Sequence, residues 1–224
     1  MMQTKKKSPR EARDDGNATK AALIDAAGKL IAMQGYEKTT SKEICELAQA
    51  NVAAVNYHFS SREGLYREVL ARAYQQTVGI EKLKKLSARK LAPQEKMNIF
   101  LDMLVNAVLQ EENWGIRVVF REFISPSDIG RESVNRELLP KFSYILKLFG
   151  DYLGLPSDDA RVHTAMISTV STFLWMLLIQ SSDLSSIRER LSIDDKKEEL
   201  LLRMKDFSLA SMRQAYGDKG DSFE

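Results

Sequence analysis

The residues best suited to chemistry in this chain lie close together, between Thr40 and Arg62. Asn56, Tyr57 and His58 are consecutive and carry an amide, a phenol and an imidazole, each of which can donate a hydrogen bond. An asparagine amide can pair with both N6 and N7 of adenine, and the other two groups suit phosphates or base edges. The pattern therefore indicates nucleic-acid recognition. Two alternatives stay open: packing at a helix end, or an Asn56 contact to phosphate or to the adjoining backbone.

Two short helices joined by a tight turn are expected to position these groups. Thr40 followed three residues later by Glu43 is a capping box, so a helix is predicted to begin there. Residues 49–51 interrupt the apolar periodicity, and a second short helix then turns Val55 inward. Its outer face is expected to present Val52, Ala53, Ala54, Asn56, Tyr57 and His58. Small outer side chains allow close approach to a duplex, so this helix suits a DNA groove.

The start of the first short helix supplies a second set of predicted contacts. Thr40, Ser41 and Lys42 are expected to hold the DNA backbone and to set the register of the reading helix. Val52, Ala53 and Ala54 would touch thymine methyl groups or allow the helix to approach closely.

Composition indicates a helical globular protein. The chain has 224 residues, enough to bury a sizeable core, with 44% apolar and 29% charged residues. Five prolines, eleven glycines and long runs of helix formers favour an all-α fold. The single cysteine, Cys45, excludes an internal disulfide and suits the cytoplasm; a small core residue is the favoured reading, and redox sensing the minor one.

The charge of the chain is uneven. The whole sequence carries a net charge of +2, but residues 1–13 alone hold five basic residues and one acidic residue. Residues 1–18 are therefore predicted to be a disordered basic arm that adds salt-dependent affinity for phosphates, with a solubilising tail as the alternative. No secretory signal is expected.

Apolar spacing predicts about nine or ten helices and a two-part organisation. Besides the two short helices, the expected ranges are 19–34, 61 to about 86, 93–112, 114–124, 132–153, 158–180 and 195–216. The first of these should begin near Thr19 and offer its N-terminus to a phosphate. We predict a helix-turn-helix DNA-binding domain at 19–66, a ligand-binding and dimerisation domain at 67–216, and a disordered tail at 217–224.

Several short motifs follow one another between Gly35 and Tyr66: Gly35-Tyr36, Thr39-Thr40, Glu43-Ile44, Asn56-Tyr57-His58-Phe59 and Arg62-Glu63-Gly64-Leu65-Tyr66. Together they resemble the DNA-binding domain of the TetR family of bacterial repressors. Residues 51–57 resemble the CecR-like branch, as do, more loosely, Phe120-Arg121-Glu122, Leu139-Pro140-Lys141-Phe142 and Leu153-Gly154-Leu155-Pro156.

The chain departs from the family pattern at two positions. Gln49 occupies the turn position usually held by glycine, so it is predicted to adopt a left-handed conformation at a cost of about 1 kcal/mol. Arg62 replaces the usual lysine and keeps the phosphate-binding charge.

The resemblance implies a homodimeric repressor that binds near-palindromic operator DNA and is released by a small-molecule effector. The helices at 158–180 and 195–216 would form the dimer interface, and no cofactor is implied. Bulky apolar residues with a few polar groups suggest the effector pocket. The candidates are Trp114, Arg117, Phe120, Arg121, His163, Met166, Phe173, Trp175 and Met176, with ordinary core packing as the alternative for each.

Other functions find little support. The two histidines and the cysteine lack metal-ligand spacing, and no catalytic constellation or phosphate-binding loop is present, so neither a metal site nor an enzyme is predicted. Residues 162–179 carry no charge, but burial between core and partner subunit explains this better than a membrane. The rivals left open are a small helical ligand-binding protein or enzyme, and a DNA binder without sequence preference.

Overall fold

The protein is described by a computed structural model that covers residues 9–76, 78–110, 114–181 and 185–216, with the backbone alone at 9–14 and 180–181. Twelve α-helices form in these residues, and none of them is a strand, so the predicted all-α class is confirmed. The helices are α1 (Pro9–Gln34), α2 (Ser41–Leu47), α3 (Ala54–Phe59), α4 (Arg62–Gln76), α5 (Ile80–Ala88), α6 (Pro93–Leu109), α7 (Trp114–Ile124), α8 (Asp128–Ser133), α9 (Leu139–Leu153), α10 (Ala160–Ser181), α11 (Ser185–Arg190) and α12 (Ile193–Tyr216). A π-helical segment, Val134–Leu138, joins α8 to α9.

The first helix is longer than predicted, because residues 9–18 are helical. The prediction weighed the charge of this stretch above the helix propensity of its alanine, arginine and glutamate residues. Thr19 lies inside α1, where its Oγ1 donates to the Asp15 carbonyl at 2.8 Å, so it does not mark a helix N-terminus. The predicted basic arm at 1–8 and the predicted tail at 217–224 lie outside the described residues.

The single helix predicted from Ser61 to about Leu86 is two helices. The first, α4, ends at Gln76, and α5 begins at Ile80 after Gly79, whose φ and ψ of −66° and 142° are extended. Glycine has a poor helix propensity and is tolerated as an N-cap, which explains the new start. The DNA-binding helices and the C-terminal helices are therefore not joined by one continuous helix.

Two hydrophobic clusters divide the molecule, and α7 belongs to both. The first cluster joins buried residues of α1 to α4, through Tyr74, to Trp114, Val118 and Val119 of α7. The second runs from Val78 to Met212 and includes Ile116 of α7. The predicted domain boundary at 66/67 falls inside α4, and the buried residues of α4 belong to the first cluster as far as Tyr74.

Two glycines let α7 approach the N-terminal helices closely. A Cβ at Gly28 of α1 would lie 2.4 Å from the ring of Trp114, and a Cβ at Gly115 would lie 2.9 Å from the Cα of Ala73 in α4. No real side chain tolerates such distances, so the contacts depend on both glycines. Helix α7 therefore packs directly against α1 and α4.

The segment from α8 through α9 is continuous, and Pro140 explains its widened turn. Proline has no N–H to donate to an upstream carbonyl and its ring crowds the preceding turn. The π-helical turn immediately before α9 places Pro140 in the first turn of that helix, where a missing donor is tolerated. Lys141 follows Pro140 in the first turn of α9 and is 4% exposed.

Candidate nucleic-acid interface and effector cavity

The capping box predicted at the start of α2 is present. The Thr40 backbone N–H donates to the Glu43 carboxylate at 2.8 Å, and the Glu43 N–H donates to Thr40 Oγ1 at 3.2 Å. These bonds hold the pKa of Glu43 below its usual value. Because both groups are committed to the cap, the helix start is rigid, and Ser41 and Lys42 follow in its first turn.

The turn between α2 and α3 uses an unusual backbone at Gln49. Its φ is 52°, the left-handed conformation predicted for a residue that replaces glycine. Asn51 then orders the entry to α3, since its Oδ1 accepts from the Ala53 N–H at 2.8 Å and its carbonyl accepts from the Ala54 N–H at 2.8 Å. This Asx turn takes the place of an N-cap for α3.

The short helix α3 buries one face and exposes the other. Val55 and Phe59 are 1% and 8% exposed, whereas Tyr57 is 83% exposed and Val52 is 59% exposed. Asn56 and Ala53 are exposed too, and Ala54 and His58 are half-buried. The His58 ring meets the Tyr57 ring edge-on with centroids 4.9 Å apart. The outward face is therefore small and apolar at its start and hydrogen-bonding at its end.

Arg62 is more tightly held inside the protein than the sequence suggested. Its Nη1 donates to the Thr39 carbonyl at 3.0 Å, and its guanidinium lies 4.4 Å from the centre of the Tyr36 ring. Tyr36 in turn stacks on Tyr66 at 4.2 Å. Arg62 thus holds the loop after α1 against α4, and its remaining donors are those available to a phosphate.

Ser61 caps the start of α4. Ser61 Oγ, not Ser60, accepts a hydrogen bond from the Gly64 N–H at 3.0 Å. Ser60 instead ends α3 with a φ of 65°. Gly64 is required beside it, because a Cβ there would lie 2.1 Å from the Phe59 carbonyl oxygen. The helix ends of α3 and α4 are therefore packed backbone to backbone.

An apolar cavity of about 290 Å³ lies in the C-terminal part of the molecule. Helices α4, α6, α7, α9 and α10 contribute to its walls. Two of the predicted pocket residues, Met166 and Phe173, line it. The other lining residues are Tyr74, Val78, Phe100, Leu104, Ala107, Ile116, Val119, Phe123, Leu138, Lys141, Phe142, Ile145, Ile167, Val170, Ser171, Leu174 and Leu177.

Four of the other predicted pocket residues belong to α7 and lie outside that lining. Trp114 Nε1 donates to Asp25 Oδ1 at 2.9 Å, and Arg121 donates to the Ala32 and Met33 carbonyls at 3.3 and 2.8 Å. Both side chains therefore contact α1. Arg117 and Phe120 are half-buried. The face of α7 that meets the cavity carries Ile116, Val119 and Phe123 instead, and aromatic content alone does not reveal which face that is.

Three predicted pocket residues on α10 also lie outside the lining. His163 is exposed, Trp175 is 54% exposed, and Met176 is buried in the C-terminal core. The cavity meets the intervening face of α10, through Met166, Val170 and Phe173 at helical spacing. Trp175 belongs to the outer surface of the molecule.

A buried polar cluster connecting α4, α7 and α8 was not predicted from the sequence. The Tyr66 hydroxyl donates to Glu122, which is 7% exposed and also accepts from the Ser127 N–H at 2.8 Å. Burial and the neighbouring carboxylate raise the pKa of Tyr66. Ser127 also caps α8, because its Oγ accepts from the Gly130 N–H at 2.9 Å. A serine cap five residues after Glu122 was the feature of the sequence that could have indicated this cluster.

Two titratable groups in the cavity wall have shifted pKa values. Burial lowers the pKa of Lys141 to about 8, against a partly compensating attraction from Glu137. Burial also raises the pKa of Tyr74 to about 12. Outside the cavity, Cys45 is 1% exposed, and burial raises the pKa of its thiol, as expected for a core residue. Within the described part of the chain, no His, Cys, Asp and Glu cluster could hold a metal ion.

A helix-turn-helix with an exposed second helix, followed by a helical domain around an apolar cavity, is the arrangement of a helix-turn-helix transcriptional regulator. Residues 23–69 match the model of the TetR family of bacterial regulatory proteins. Residues 93–213, more than half of the chain, match the C-terminal domain of the HTH-type transcriptional dual regulator CecR. The chain belongs to the TetR family of transcriptional regulators, with a C-terminal domain of the CecR type.

Individual relatives agree with this assignment. The "Probable HTH-type transcriptional regulator YttP" of Bacillus subtilis (strain 168) is 27% identical over 148 residues, which are 62% of this chain and 70% of that protein. The fold is similar to that of the fatty acid degradation regulator FadR of Bacillus halodurans, at a TM-score of 0.61 and 17% identity, covering 93% and 99% of the two chains.

A regulator from Mesorhizobium loti assigned to the TetR family also has a TM-score of 0.61, at 20% identity and covering 91% and 98% of the two chains. These relatives and both matching families are regulators rather than enzymes, which confirms that prediction.

Proposed function

We propose that the protein is a repressor that binds a near-palindromic operator as a homodimer and is released by a small-molecule effector. The observation that carries the proposal is the α3 face, where Tyr57 is 83% exposed on a helix whose opposite side chains are buried. A helix anchored in this way can enter a major groove without unfolding its own core. Asn56 and Tyr57 would contact bases or phosphates there, and Lys42 would contact the backbone.

Homodimerisation is supported by the outer faces of α10 and α12. These faces expose Ile167, Trp175, Leu202 and Phe207, at 58%, 54%, 46% and 73%. Exposed apolar surface on two neighbouring helices is typical of an interface. By length and composition, α10 is also the one described helix that could cross a membrane, a test that core helices pass too. A partner subunit suits its exposed face better, and we propose a cytoplasmic dimer with no membrane contact.

The effector would occupy the cavity, and α7 would transmit its presence. One face of α7 lines the cavity through Ile116, Val119 and Phe123, while Trp114 and Arg121 contact α1. A ligand that displaces α7 must therefore disturb the seating of the DNA-binding helices. Release of the operator requires that the effector bind the form with displaced α7 more tightly than the form that binds DNA. A coupling free energy of about 1–3 kcal/mol between the two sites would weaken operator binding roughly 5- to 150-fold.

Selection of binding sites from random double-stranded DNA tests the proposal. We expect enriched sequences with two inverted half-sites about one helical turn apart, since a two-fold protein reads two-fold DNA. Asn56→Ala should lose preference at one position of each half-site, while Asn106→Ala, an exposed asparagine on α6, should not. Enrichment of no sequence, or of a single unpaired site, would contradict the proposal.

A further inference from the structure

Lys141 is an exception in the wall of the effector cavity. Among the described residues that line this cavity, it is the one that carries a charge; the others are apolar except for Tyr74 and Ser171. Its side chain comes from the first turns of α9 and is 4% exposed. Lysine is rarely buried to this extent without a partner of opposite charge. A negatively charged group is therefore expected to pair with the Lys141 ammonium.

The protein itself supplies only a partial partner. The Lys141 ammonium donates to the Tyr74 carbonyl at 2.5 Å and lies 5.4 Å from the centre of the Tyr74 ring. An ammonium has three donors, and this carbonyl uses one. The acidic group that influences the ammonium is Glu137, whose carboxylate accepts from Arg136 at 3.0 Å. Within the described residues, Lys141 thus has no carboxylate in hydrogen-bond contact.

The surroundings of Lys141 restrict the chemistry of a ligand. Phe100, Phe173 and Leu174 present hydrocarbon to the cavity, so the body of a ligand must be apolar. A single ammonium matches a single negative charge, whereas a phosphate monoester carries up to two, and the described lining offers no second cation. A cavity of about 290 Å³ lies at the small end of ligand pockets, which excludes a nucleotide-bearing conjugate from full burial.

We propose that the effector is an apolar carboxylic acid whose carboxylate pairs with Lys141 while its hydrocarbon part fills the cavity. This inference rests on the proposed function only in calling the ligand an effector; the binding site itself does not depend on it. Pairing would complete the hydrogen bonding of the ammonium inside the protein. It would also tie the ligand to Tyr74 at the end of α4, because Lys141 already holds the carbonyl of that residue.

A structural role is the competing explanation. Lys141 could serve solely to satisfy the Tyr74 carbonyl and to hold α9 against α4. A lysine of that kind would not distinguish an acid from a neutral molecule of the same length. The two explanations therefore differ in selectivity and need not differ in stability.

Calorimetric titration with matched ligands separates them. The probes are linear fatty acids of about six to twelve carbons and the corresponding primary alcohols, titrated at neutral pH into the full chain. We expect at least one acid to bind about tenfold or more tightly than its alcohol. Lys141→Met should reduce that preference to about threefold or less and still bind the alcohol. Lys147→Met, an exposed lysine in the same helix, should behave as the wild type.

The outcomes that overturn the inference are distinct from those that overturn repression. Equal binding of acid and alcohol, an unchanged preference in Lys141→Met, or binding of neither ligand class would each remove it. Gel shift with the selected operator gives the second readout. Acid binding that depends on Lys141 without operator release would leave this site intact and contradict the proposed effector mechanism. Operator release by a ligand that needs no acid group would contradict the inference about Lys141 and leave the proposed effector mechanism intact.

Discussion

Tyr57 projects from α3 between two buried neighbours, Val55 and Phe59, and its own side chain is 83% exposed. Tyr57→Ala should therefore change the free energy of unfolding by about 0.5 kcal/mol or less. Loss of its DNA contacts should weaken operator binding by about 1–3 kcal/mol, or roughly 5- to 150-fold. Gel shift and thermal unfolding measure the two effects. Met33→Ala, which truncates another exposed apolar side chain, should alter neither; equal operator binding by Tyr57→Ala would remove Tyr57 from the interface.

Lys141 should make stability depend on pH in a recognisable way. Its pKa is about 8 in the folded protein and 10.5 when exposed, so the unfolded state binds more protons between these values. The free energy of unfolding should therefore rise with pH across this window, by up to about 3 kcal/mol from this group. The Tyr74 phenol, which also lines the cavity, has a pKa raised to about 12 and so stays largely protonated across this window.

Lys141→Met is the comparison that isolates this contribution. The stability of the wild type relative to the variant should increase from pH values below 8 to values above 10.5. Urea unfolding of both proteins at several pH values measures the difference. Lys147→Met removes an exposed lysine of the same helix and should give a constant difference. A difference that is constant for Lys141→Met would show that its ammonium is well solvated.

The conformation of a single residue was predictable where the backbone geometry of its neighbours determines it. The left-handed Gln49 and the Thr40 cap follow from the turn and capping chemistry of a few neighbouring residues. Arg62 was expected to serve phosphate, and its contacts with Tyr36 and the Thr39 carbonyl depend on residues 23 and more positions away. Lys141 was missed as a cavity residue for the same reason, since its burial is decided by distant helices.

Helix α7 packs in both hydrophobic clusters and so contacts both parts of the molecule. Its fit against α1 depends on Gly28, where a Cβ would lie 2.4 Å from the Trp114 ring. Gly28→Ala should therefore displace α7 and lower the free energy of unfolding by about 1–3 kcal/mol. Chemical denaturation measures the change.

The same helix offers a matched control. A Cβ at Gly16 would meet nothing within 4 Å, and Gly16 lies inside α1. Gly16→Ala should therefore stabilise the protein by about 0.5–1 kcal/mol, because alanine loses less conformational entropy in a helix. Destabilisation by both substitutions would indicate that the α1 backbone, not the Trp114 contact, is responsible.

Apolar periodicity predicted that most of the helices would form. It did not predict where a helix breaks or which of its faces is buried. The break between α4 and α5 at Gly79 and the π-helical turn before Pro140 interrupt stretches whose apolar pattern continues. Helix α10, unlike α7, is apolar nearly all round, so its periodicity gives no orientation. The pocket candidates on these helices were therefore chosen by residue type, and Met166 and Phe173 line the cavity because the packing of α10 turns them inward.

At the scale of the whole molecule, the proposed two-fold symmetry would decide how the protein reads DNA. The sequence predicted a partner subunit because the segment at 162–179 is apolar all round, and α10 does keep Ile167 and Trp175 exposed in the single chain. A single sequence cannot supply the distance between two reading heads, since that distance depends on how α10 and α12 meet their copies.

Phe207 lies on α12 and is 73% exposed. A substitution there should disrupt dimerisation without changing the residues that contact DNA. Phe207→Asp would place a charge in an apolar interface, so we expect a monomer in analytical ultracentrifugation where the wild type is a dimer. Ile124→Asp, which changes a side chain 70% exposed at the end of α7, should remain dimeric.

The DNA consequence follows from avidity, because a second head already held beside its half-site binds at a high effective concentration. Phe207→Asp should therefore bind a complete operator only as tightly as the wild type binds one half-site, with half-site affinity unchanged. A monomeric variant that retained full operator affinity would show that one subunit recognises the whole site by itself.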